Sequence, residues 1–274
     1  MIQLKNLSAH LKSVFEIRRH FRHPWLLVLL RLGAIRMPYF LHEITNGDKQ
    51  YRMLARPTTT SMADIFVLRE VMVEEAYRDV LPLLGKKNIR LVDVGANLGS
   101  FTIWMHRTLG VRESHCFEPE PDSFRLLQFN LFANDCRTAK AVECAVGGVA
   151  RTIHIALKES SPGGTSIYHP GSDPARSRAV PVIAFGEWLR GIEGDFDLLK
   201  VDCEGAEWEI LEKTDPQEFA RFRVFVAEVH DDPEKKKLVS EFKGLMEKLG
   251  FRIVRWDNKS QGLYVGVRDI ATDL

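Results

Sequence analysis

The strongest candidate for chemistry in this 274-residue sequence is a glycine-containing turn that follows an apolar run. In LVDVGANLGSFTIWM, at positions 91–105, the apolar run ends at Asp93, and a helical pattern begins near Ser100. Gly95 and Gly99 lie between them. Glycine lets the backbone turn sharply and approach a ligand, and the free N–H groups at a helix start attract a carboxylate or phosphate. The sequence therefore predicts a ligand-binding turn between a strand and a helix.

The spacing of this turn separates two classes of ligand. Dinucleotide-binding turns follow the pattern G-x-G-x-x-G. This turn instead reads D-x-G-x-x-x-G, with Asn97 where the second glycine would let a pyrophosphate come close. The acid at the strand end, Asp93, would repel a pyrophosphate, whereas it suits a cation such as the sulfonium or ammonium group of S-adenosylmethionine. The spacing favours a cationic ligand, and a nicotinamide-dependent oxidoreductase is the less favoured alternative.

A second acidic residue follows the next apolar run. Glu118 stands 23 residues after Gly95 and precedes Pro119. In nucleotide-binding folds, an acid at this distance accepts hydrogen bonds from ribose hydroxyls. The sequence therefore predicts that Glu118 binds a ribose, and a helix-capping or solvated carboxylate is the alternative.

A third acidic stretch is DLLKVDCEGAEWEIL, at positions 197–211. Its apolar run delivers Asp202, Glu204 and Glu207 into the turn that follows. Carboxylates beside a crevice act as proton acceptors or metal ligands, or they stabilise the N-terminus of a helix. We predict a functional role for Asp202, whereas an interaction with the helix dipole explains Glu207 equally well.

Another predicted strand ends in Glu228, Val229 and His230, whose alternation places the first and third side chains on the same side. An unperturbed imidazole accepts a proton at neutral pH, so His230 is our first candidate for a general base and Glu204 is the second. A surface histidine in a turn is the alternative. Together with Asp202 these side chains would suit magnesium or manganese, but nothing in their spacing requires a metal, and we expect none.

Alternating apolar runs and helix-length periodic stretches from residue 66 onward predict the elements that position these residues. This alternation is typical of parallel strands joined by crossover helices. A hairpin-like insertion is expected from 151–157 and 180–183, with a loop rich in Ser, Gly and Pro at 160–177. The predicted helices are 122–134, 206–213 and 234–249, and the seven predicted sheet strands are 90–94, 114–117, 141–146, 196–201, 224–229, 251–255 and 263–267.

Composition and charge limit the classes of protein to which this chain can belong. The chain is 45% hydrophobic and 27% charged, which is typical of globular proteins and excludes disordered or fibrous ones. The net charge is +1, yet residues 1–60 contain ten basic and only three acidic residues. We predict a basic, helical N-terminal segment over 1–65, followed by a catalytic domain over 66–274. A solvated basic face is the favoured reading of this segment, and contact with an anionic partner such as a membrane surface is the alternative.

The spacing of the cysteines and the length of the apolar runs indicate the cellular compartment. The four cysteines form no CxxC pair, so neither a zinc site nor a disulfide framework is predicted. The apolar run from Trp25 to Leu30 is far shorter than the ~20 residues of a membrane-spanning helix. The start of the sequence also lacks the pattern of a signal peptide. We therefore expect a cytoplasmic protein.

With these residues in view, the sequence resembles the FkbM family of S-adenosylmethionine-dependent methyltransferases. The resemblance implies an α/β protein with the Rossmann-like, three-layer class I methyltransferase fold. Its sheet would have seven strands, mostly parallel, with an antiparallel last strand. The matching segments follow the family's order over residues 61–267 and include VDVGANLGSF (92–101), FEPEPDSFRLLQFNL (117–131), LLKVDCEGAEWEIL (198–211) and VAEVH (226–230).

The resemblance also implies an activity and a set of site residues. The family commonly methylates hydroxyls of sugars or secondary metabolites, so we expect O-methylation of a small-molecule or glycan acceptor and no nucleic-acid substrate. Glu118 would hold the ribose, Ala145 would lie near the adenine, and Asp202 would lie beside the reacting centre. A catalytically inactive binding protein of the same fold is the alternative. The cofactor-binding residues that the resemblance implies are Asp93, Gly95, Ala96, Asn97, Gly99, Ser100, Phe101, Glu118, Pro119, Ala145 and Asp202.

Overall fold

The N-terminal region contains a short helix and a β-hairpin. A computed structural model describes residues 18–31, 34–56, 63–85, 87–156, 177–203, 205–230, 239–257 and 261–268. Helix α1 (Pro24–Arg31) is followed by strands β1 (Phe40–Asn46) and β2 (Lys49–Ala55), which pair antiparallel. The prediction of a helical segment is therefore wrong for residues 40–55. Burial alternates along both strands and the turn has Gly47 at φ +62°, which favours a hairpin over a helix.

A helical connection leads from the hairpin to the central sheet. It consists of α2 (Ala63–Leu68), a π-helical turn (Arg69–Val73), a 3₁₀ turn (Arg78–Val80) and α3 (Leu81–Leu84). The elements that follow, in chain order, are β3 (Ile89–Val94), α4 (Ser100–Thr108), β4 (Val111–Phe117), α5 (Pro121–Ala133), β5 (Ala139–Val142), β6 (Ala145–Gly147), β7 (Arg151–Ala156), β8 (Ser177–Ala184), α6 (Phe185–Arg190), β9 (Phe196–Val201), α7 (Glu207–Lys213), α8 (Pro216–Phe219), β10 (Phe222–His230), α9 (Val239–Lys248), β11 (Arg252–Trp256) and β12 (Gln261–Val267).

The central sheet has seven strands in the order β11-β12-β10-β9-β3-β4-β5. Strand β12 pairs antiparallel with β10 and β11, whereas the remaining neighbours pair parallel. This confirms the predicted sheet, including its antiparallel last strand. The chain runs from β3 outward to β4 and β5, then returns to the other side of β3 to form β9. In parallel sheets, ligands bind beyond the carboxyl ends of the strands at such a reversal.

One predicted sheet strand, 141–146, is two strands in the structure. The N–H of Cys144 donates to the carbonyl oxygen of Val142 at 3.0 Å, so the chain turns sharply where β5 ends. Strand β6 then leaves the central sheet and pairs parallel with β8, which pairs antiparallel with β7. The predicted insertion is confirmed as part of this second, three-stranded sheet. The predicted loop over 160–177 lies outside the described residues, except for Ser177.

Helices cover both faces of the central sheet and give the predicted three layers. Alternate residues of a strand point to opposite faces. Leu91 of β3 belongs to the apolar core that includes Trp104 of α4, whereas Val92 belongs to the core that includes Phe185 of α6. The hairpin shares the first of these cores through Met53. Within the described ranges, no helix combines the length and apolar composition that crossing a bilayer requires.

The hairpin docks onto helix α5 through asparagine side chains. The Oδ1 atom of Asn130 accepts the N–H of Leu54 at 2.6 Å. The Nδ2 atom of Asn130 donates to the carbonyl oxygens of Leu54, at 3.0 Å, and Leu98, at 2.9 Å. Asn134 makes the equivalent pair of bonds with the backbone of Arg52, at 3.0 and 2.7 Å. The hairpin is therefore tied to helix α5 by specific hydrogen bonds.

We expect Asn130→Ala to lower the free energy of unfolding by about 2–4 kcal/mol, because it leaves three backbone groups without their partners. Denaturant unfolding followed by circular dichroism measures the change. Gln128→Ala, at an exposed position of the same helix, is the control and should change stability by less than ~0.5 kcal/mol. Equal losses in the two variants would contradict the assigned role of Asn130.

Candidate active site

The glycine turn lies where the ends of β3 and β9 meet. Gly95 has φ +77°, and a Cβ atom built on it would lie 1.7 Å from the carbonyl oxygen of Asp202. A Cβ atom on Gly99 would lie 2.8 Å from the side chain of Leu127 in α5. The N–H of Asp202 also donates to the carbonyl oxygen of Val94 at 3.0 Å. Gly95 is therefore required by close packing against backbone, whereas Gly99 is favoured by its φ of +87° and would meet only the end of a side chain.

A buried lysine joins the two strand ends. The Nζ atom of Lys200 lies 3.3 Å from a carboxylate oxygen of Asp93 and 3.3 Å from one of Asp202. It also donates to the carbonyl oxygen of Gly95 at 2.9 Å. Burial opposes the charge of this ammonium group, but the two carboxylates raise the pKa of Lys200 well above its ordinary value. Lys200 is therefore a charged centre that fixes the turn.

Lys200 is absent from the predicted site residues, although its position in the sequence carries a signal. It is the only basic residue of the β9 sequence FDLLKV, all of which is buried. A lysine in such a strand requires a partner, because burying an unpaired charge is costly. The partner Asp93 is fully buried and also accepts a hydrogen bond from the hydroxyl of Thr102 at 2.7 Å. Its charge is thus balanced within the protein, and its contact with a cofactor stays a prediction.

Glu118 lies buried beside the same turn, immediately after β4. Its two carboxylate oxygens accept the N–H groups of Asn97 and Glu120, each at 2.8 Å. Burial raises the pKa of Glu118 to about 7, although both N–H bonds oppose the shift. Asn97 adopts φ +50°, a left-handed conformation that asparagine tolerates better than most residues. The acid that the sequence predicts for a ribose is therefore held rigidly at the site.

A buried ion-pair network holds the backbone that follows Glu118. The side chain of Glu120 caps α5 by accepting the N–H of Ser123 at 2.6 Å. The guanidinium group of Arg56 donates to Glu120 at 3.3 Å and to Ser123 at 3.0 Å. It also forms a double contact with Asp64, at 3.0 and 3.1 Å. The end of the hairpin is thereby connected to the backbone that positions Glu118.

Further titratable groups lie around Asp202. Burial raises the pKa of Tyr77 well above its ordinary value, and the charges of Asp202 and Glu228 add to this shift. The ring of Tyr77 packs edge-on against Phe101 at a centroid distance of 4.8 Å. Burial also raises the pKa of Glu70, which lies in the π-helical turn, and Asp202 adds to that shift. The connection before β3 therefore contributes acidic and phenolic groups to the site.

The structure describes the remaining predicted residues to different extents. Glu204 lies outside the described residues, and His230 is described only by its backbone, at the end of β10. Glu207 accepts the N–H groups of Cys203 and Gly205 at 2.9 and 2.8 Å, so it caps the turn before α7. Among the described residues, no cluster of His, Cys, Asp or Glu is arranged to hold a metal ion. The buried predicted residues at the turn and at the start of β6 are Ala96, Ser100, Phe101 and Ala145, and Pro119 is half-buried.

The strand order, the reversed last strand and the turn at the switch point define a class I methyltransferase fold. The chain belongs to the FkbM methyltransferase family, because the family model described as the methyltransferase FkbM domain matches residues 93–253. The family that the sequence resembles is therefore confirmed, and the chain is a methyltransferase.

Two similar proteins are named methyltransferases, and a solved structure aligns with part of this chain. The chain is 28% identical over 220 residues to Methyltransferase sdnD of Sordaria araneosa, covering 69% of this chain and 83% of that protein. It is 26% identical over 207 residues to Methyltransferase 1 of Beauveria bassiana, covering 69% and 81%. The crystal structure of methyltransferase FkbM from Methylobacillus flagellatus has 14% identity and a TM-score of 0.45, covering 65% of this chain and 43% of that one.

Proposed function

We propose that this protein transfers a methyl group from S-adenosylmethionine to a hydroxyl group of a small-molecule or glycan acceptor. The observation that carries the proposal is the buried Glu118 carboxyl group, held by two backbone N–H groups at the switch point of the sheet. A carboxyl group at this place accepts ribose hydroxyls in nucleotide-binding folds. Membership of the FkbM family supports the same reading.

The residues at the turn fit a nucleoside with a charged amino-acid part. An ionised carboxylate offers about four acceptor positions, so the two N–H bonds leave Glu118 able to accept two hydroxyl donors. The Oδ1 atom of Asn97 is buried and has no hydrogen-bond partner among the described residues. This oxygen is an acceptor suited to an ammonium group. The donor and acceptor pattern therefore matches S-adenosylmethionine better than a pyrophosphate.

The chain's own residues would act mainly by alignment and by proton removal. S-adenosylmethionine supplies a methyl group on an electrophilic sulfonium. Aligning two bound reactants contributes up to ~7–11 kcal/mol, and a general base that removes the acceptor proton adds about 10²–10⁴-fold. We propose His230 as this base, with Glu204 as the second candidate. Ala227 of β10 pairs with Val201, the last residue of β9, and Asp202 follows directly.

We expect His230→Ala to lower turnover by about 10²-fold or more while affinity for S-adenosylmethionine changes little. Radiolabelled methyl transfer to a panel of glycosides and phenols measures turnover, and calorimetry measures affinity. His154→Ala, at an exposed position of β7, is the matched control and should retain activity. Full activity of His230→Ala would eliminate the assignment of the base. Cofactor binding with no transfer to any acceptor would instead favour an inactive binding protein.

The affinity for S-adenosylmethionine is expected to rise with pH through about 7, because that is where burial places the pKa of Glu118. The ionised carboxylate accepts both ribose hydroxyls, and protonation at lower pH removes part of this capacity. Calorimetry near pH 6 and near pH 8 measures the change, which should be at most ~10-fold, because the ionised fraction of a group with a pKa of about 7 rises ~10-fold between these pH values.

The variant Glu118→Gln should bind at least ~10-fold more weakly and lose this pH dependence, because it removes the charged acceptor. Glu193→Gln, at an exposed position, is the control and should match the wild type. A wild-type protein that binds neither S-adenosylmethionine nor S-adenosylhomocysteine would end the proposal, and binding of NAD instead would favour an oxidoreductase.

A further inference from the structure

The N-terminal region exposes apolar side chains that the core does not use. In α1, Leu27 and Leu30 are buried and dock the helix, whereas Trp25 is 64% exposed and Leu29 is 41% exposed. Trp25 and Leu29 are four positions apart, so they lie on one face of the helix, one turn from each other. This face is turned to solvent and has an apolar composition.

A second group of exposed apolar side chains lies between this helix and the first residues of β1. Met37 is 41% exposed, Tyr39 is 40% exposed and Leu41 is 39% exposed. The segment that leads into α1 lies next to β1, because the N–H of Arg22 donates to the carbonyl oxygen of Glu43 at 3.0 Å. The two groups together form what we name the N-terminal patch, which consists of Trp25, Leu29, Met37, Tyr39 and Leu41.

The charge around the N-terminal patch is predominantly positive. Residues 17–43 contain five arginines and one acidic residue, Glu43, which pairs with Arg22. Arg18, Arg19 and Arg36 are exposed, and the guanidinium group of Arg18 lies 5.8 Å from the ring centre of Trp25. Single exposed apolar side chains are ordinary, whereas a group of them rimmed by polar residues marks an interaction site. Tryptophan, tyrosine and arginine are the residues that favour a membrane interface.

We propose that the N-terminal patch and its arginines bind an anionic lipid surface. Apolar side chains insert at the level of the lipid headgroups, and arginines contact the negative headgroups. A second copy of this chain is a poorer occupant, because it would bring two positively charged patches together. A nucleic acid would use the arginines but would leave Leu29, Met37 and Leu41 exposed. This proposal is independent of the methyl-transfer reaction.

The test is flotation of the full chain with lipid vesicles. One set consists of phosphatidylcholine alone, and in the other about a third of the lipid is phosphatidylglycerol. We expect at least ~10-fold stronger binding to the anionic vesicles, weakened by added salt. The double variant Trp25→Ser and Leu29→Ser should lose at least ~10-fold of this binding. Phe132→Ser, which removes another exposed aromatic ring outside the patch, should bind like the wild type.

A second variant distinguishes the contribution of charge to vesicle binding from that of apolar contact, and its folding is checked separately. Replacing Arg18, Arg19 and Arg36 by glutamine should remove the preference for anionic vesicles, with an unchanged circular dichroism spectrum and unfolding midpoint. Equal binding of the wild type to both vesicle types would overturn the proposal. Unchanged binding of the Trp25→Ser and Leu29→Ser variant would do the same. Binding to a generic RNA oligonucleotide or self-association, without binding to vesicles, would assign the surface to another partner.

Discussion

Gly95→Ala is expected to destabilise the protein by about 4 kcal/mol or more, which is exceptional for adding one methyl group. The added Cβ atom would lie 1.7 Å from the backbone oxygen of Asp202, and no side-chain rotation relieves a contact with backbone. The ends of β3 and β9 would have to separate. That movement would also break the bond from Lys200 to the Gly95 carbonyl oxygen. The variant should therefore lose cofactor affinity as well as stability.

Gly47→Ala is the matched control for this experiment. Gly47 also has positive φ, at +62°, but an added Cβ atom would meet nothing within 4 Å. This variant carries only the conformational penalty of the left-handed region, ~1–2 kcal/mol. Denaturant unfolding of both variants measures the two costs, and their difference isolates the clash at the strand ends. Similar costs in the two variants would show that the strand ends are not packed as closely as the structure indicates.

Lys200→Met is expected to lower the free energy of unfolding by about 3–5 kcal/mol. Its ammonium group lies between the carboxylates of Asp93 and Asp202, and Asp93 is fully buried. Removing the ammonium leaves a buried negative charge without its compensation, which costs more than an intact pair contributes. Methionine keeps most of the side-chain volume, so the loss reports on charge rather than on packing.

Two further variants test this explanation by denaturant unfolding. Adding Asp93→Asn to Lys200→Met should restore part of the lost stability, because the amide removes the uncompensated charge. Lys140→Met breaks an exposed pair with Glu113, at 2.8 Å, and should cost at most about 1 kcal/mol. If the double variant is as unstable as the sum of its single changes, the two residues do not interact and the role of Lys200 is wrong.

Much of the architecture follows from the sequence because its signals are local. Short apolar runs alternate with helical periodicity, and this alternation predicts a parallel sheet with crossover helices. Six of the seven predicted sheet strands are confirmed as continuous strands, and the sheet is mostly parallel with an antiparallel last strand, as the resemblance implies. The chain folds differently at residues 40–55 and at 141–146, where short turns with Gly47 and Cys144 decide the outcome.

The positions of the acidic site residues could also be predicted from the sequence. Asp93 lies near the end of β3, Glu118 and Asp202 directly follow β4 and β9, and the carboxyl ends of parallel strands meet at one edge of the sheet. The residues that pair with these acids could not be predicted from the sequence in the same way. Lys200 pairs with an aspartate 107 positions earlier in the chain, and the network of Arg56 joins segments that lie far apart in sequence.

The sequence by itself determined the order of strands and helices, the glycine turn and the acidic strand ends, because these depend on periodicity and on residues close together in the chain. Only the tertiary structure decided which groups compensate the buried charges, why Gly95 allows no side chain, and where the hairpin docks. Those features arise from contacts between segments that the fold brings together, and the distance between two such segments is not encoded in their spacing along the chain.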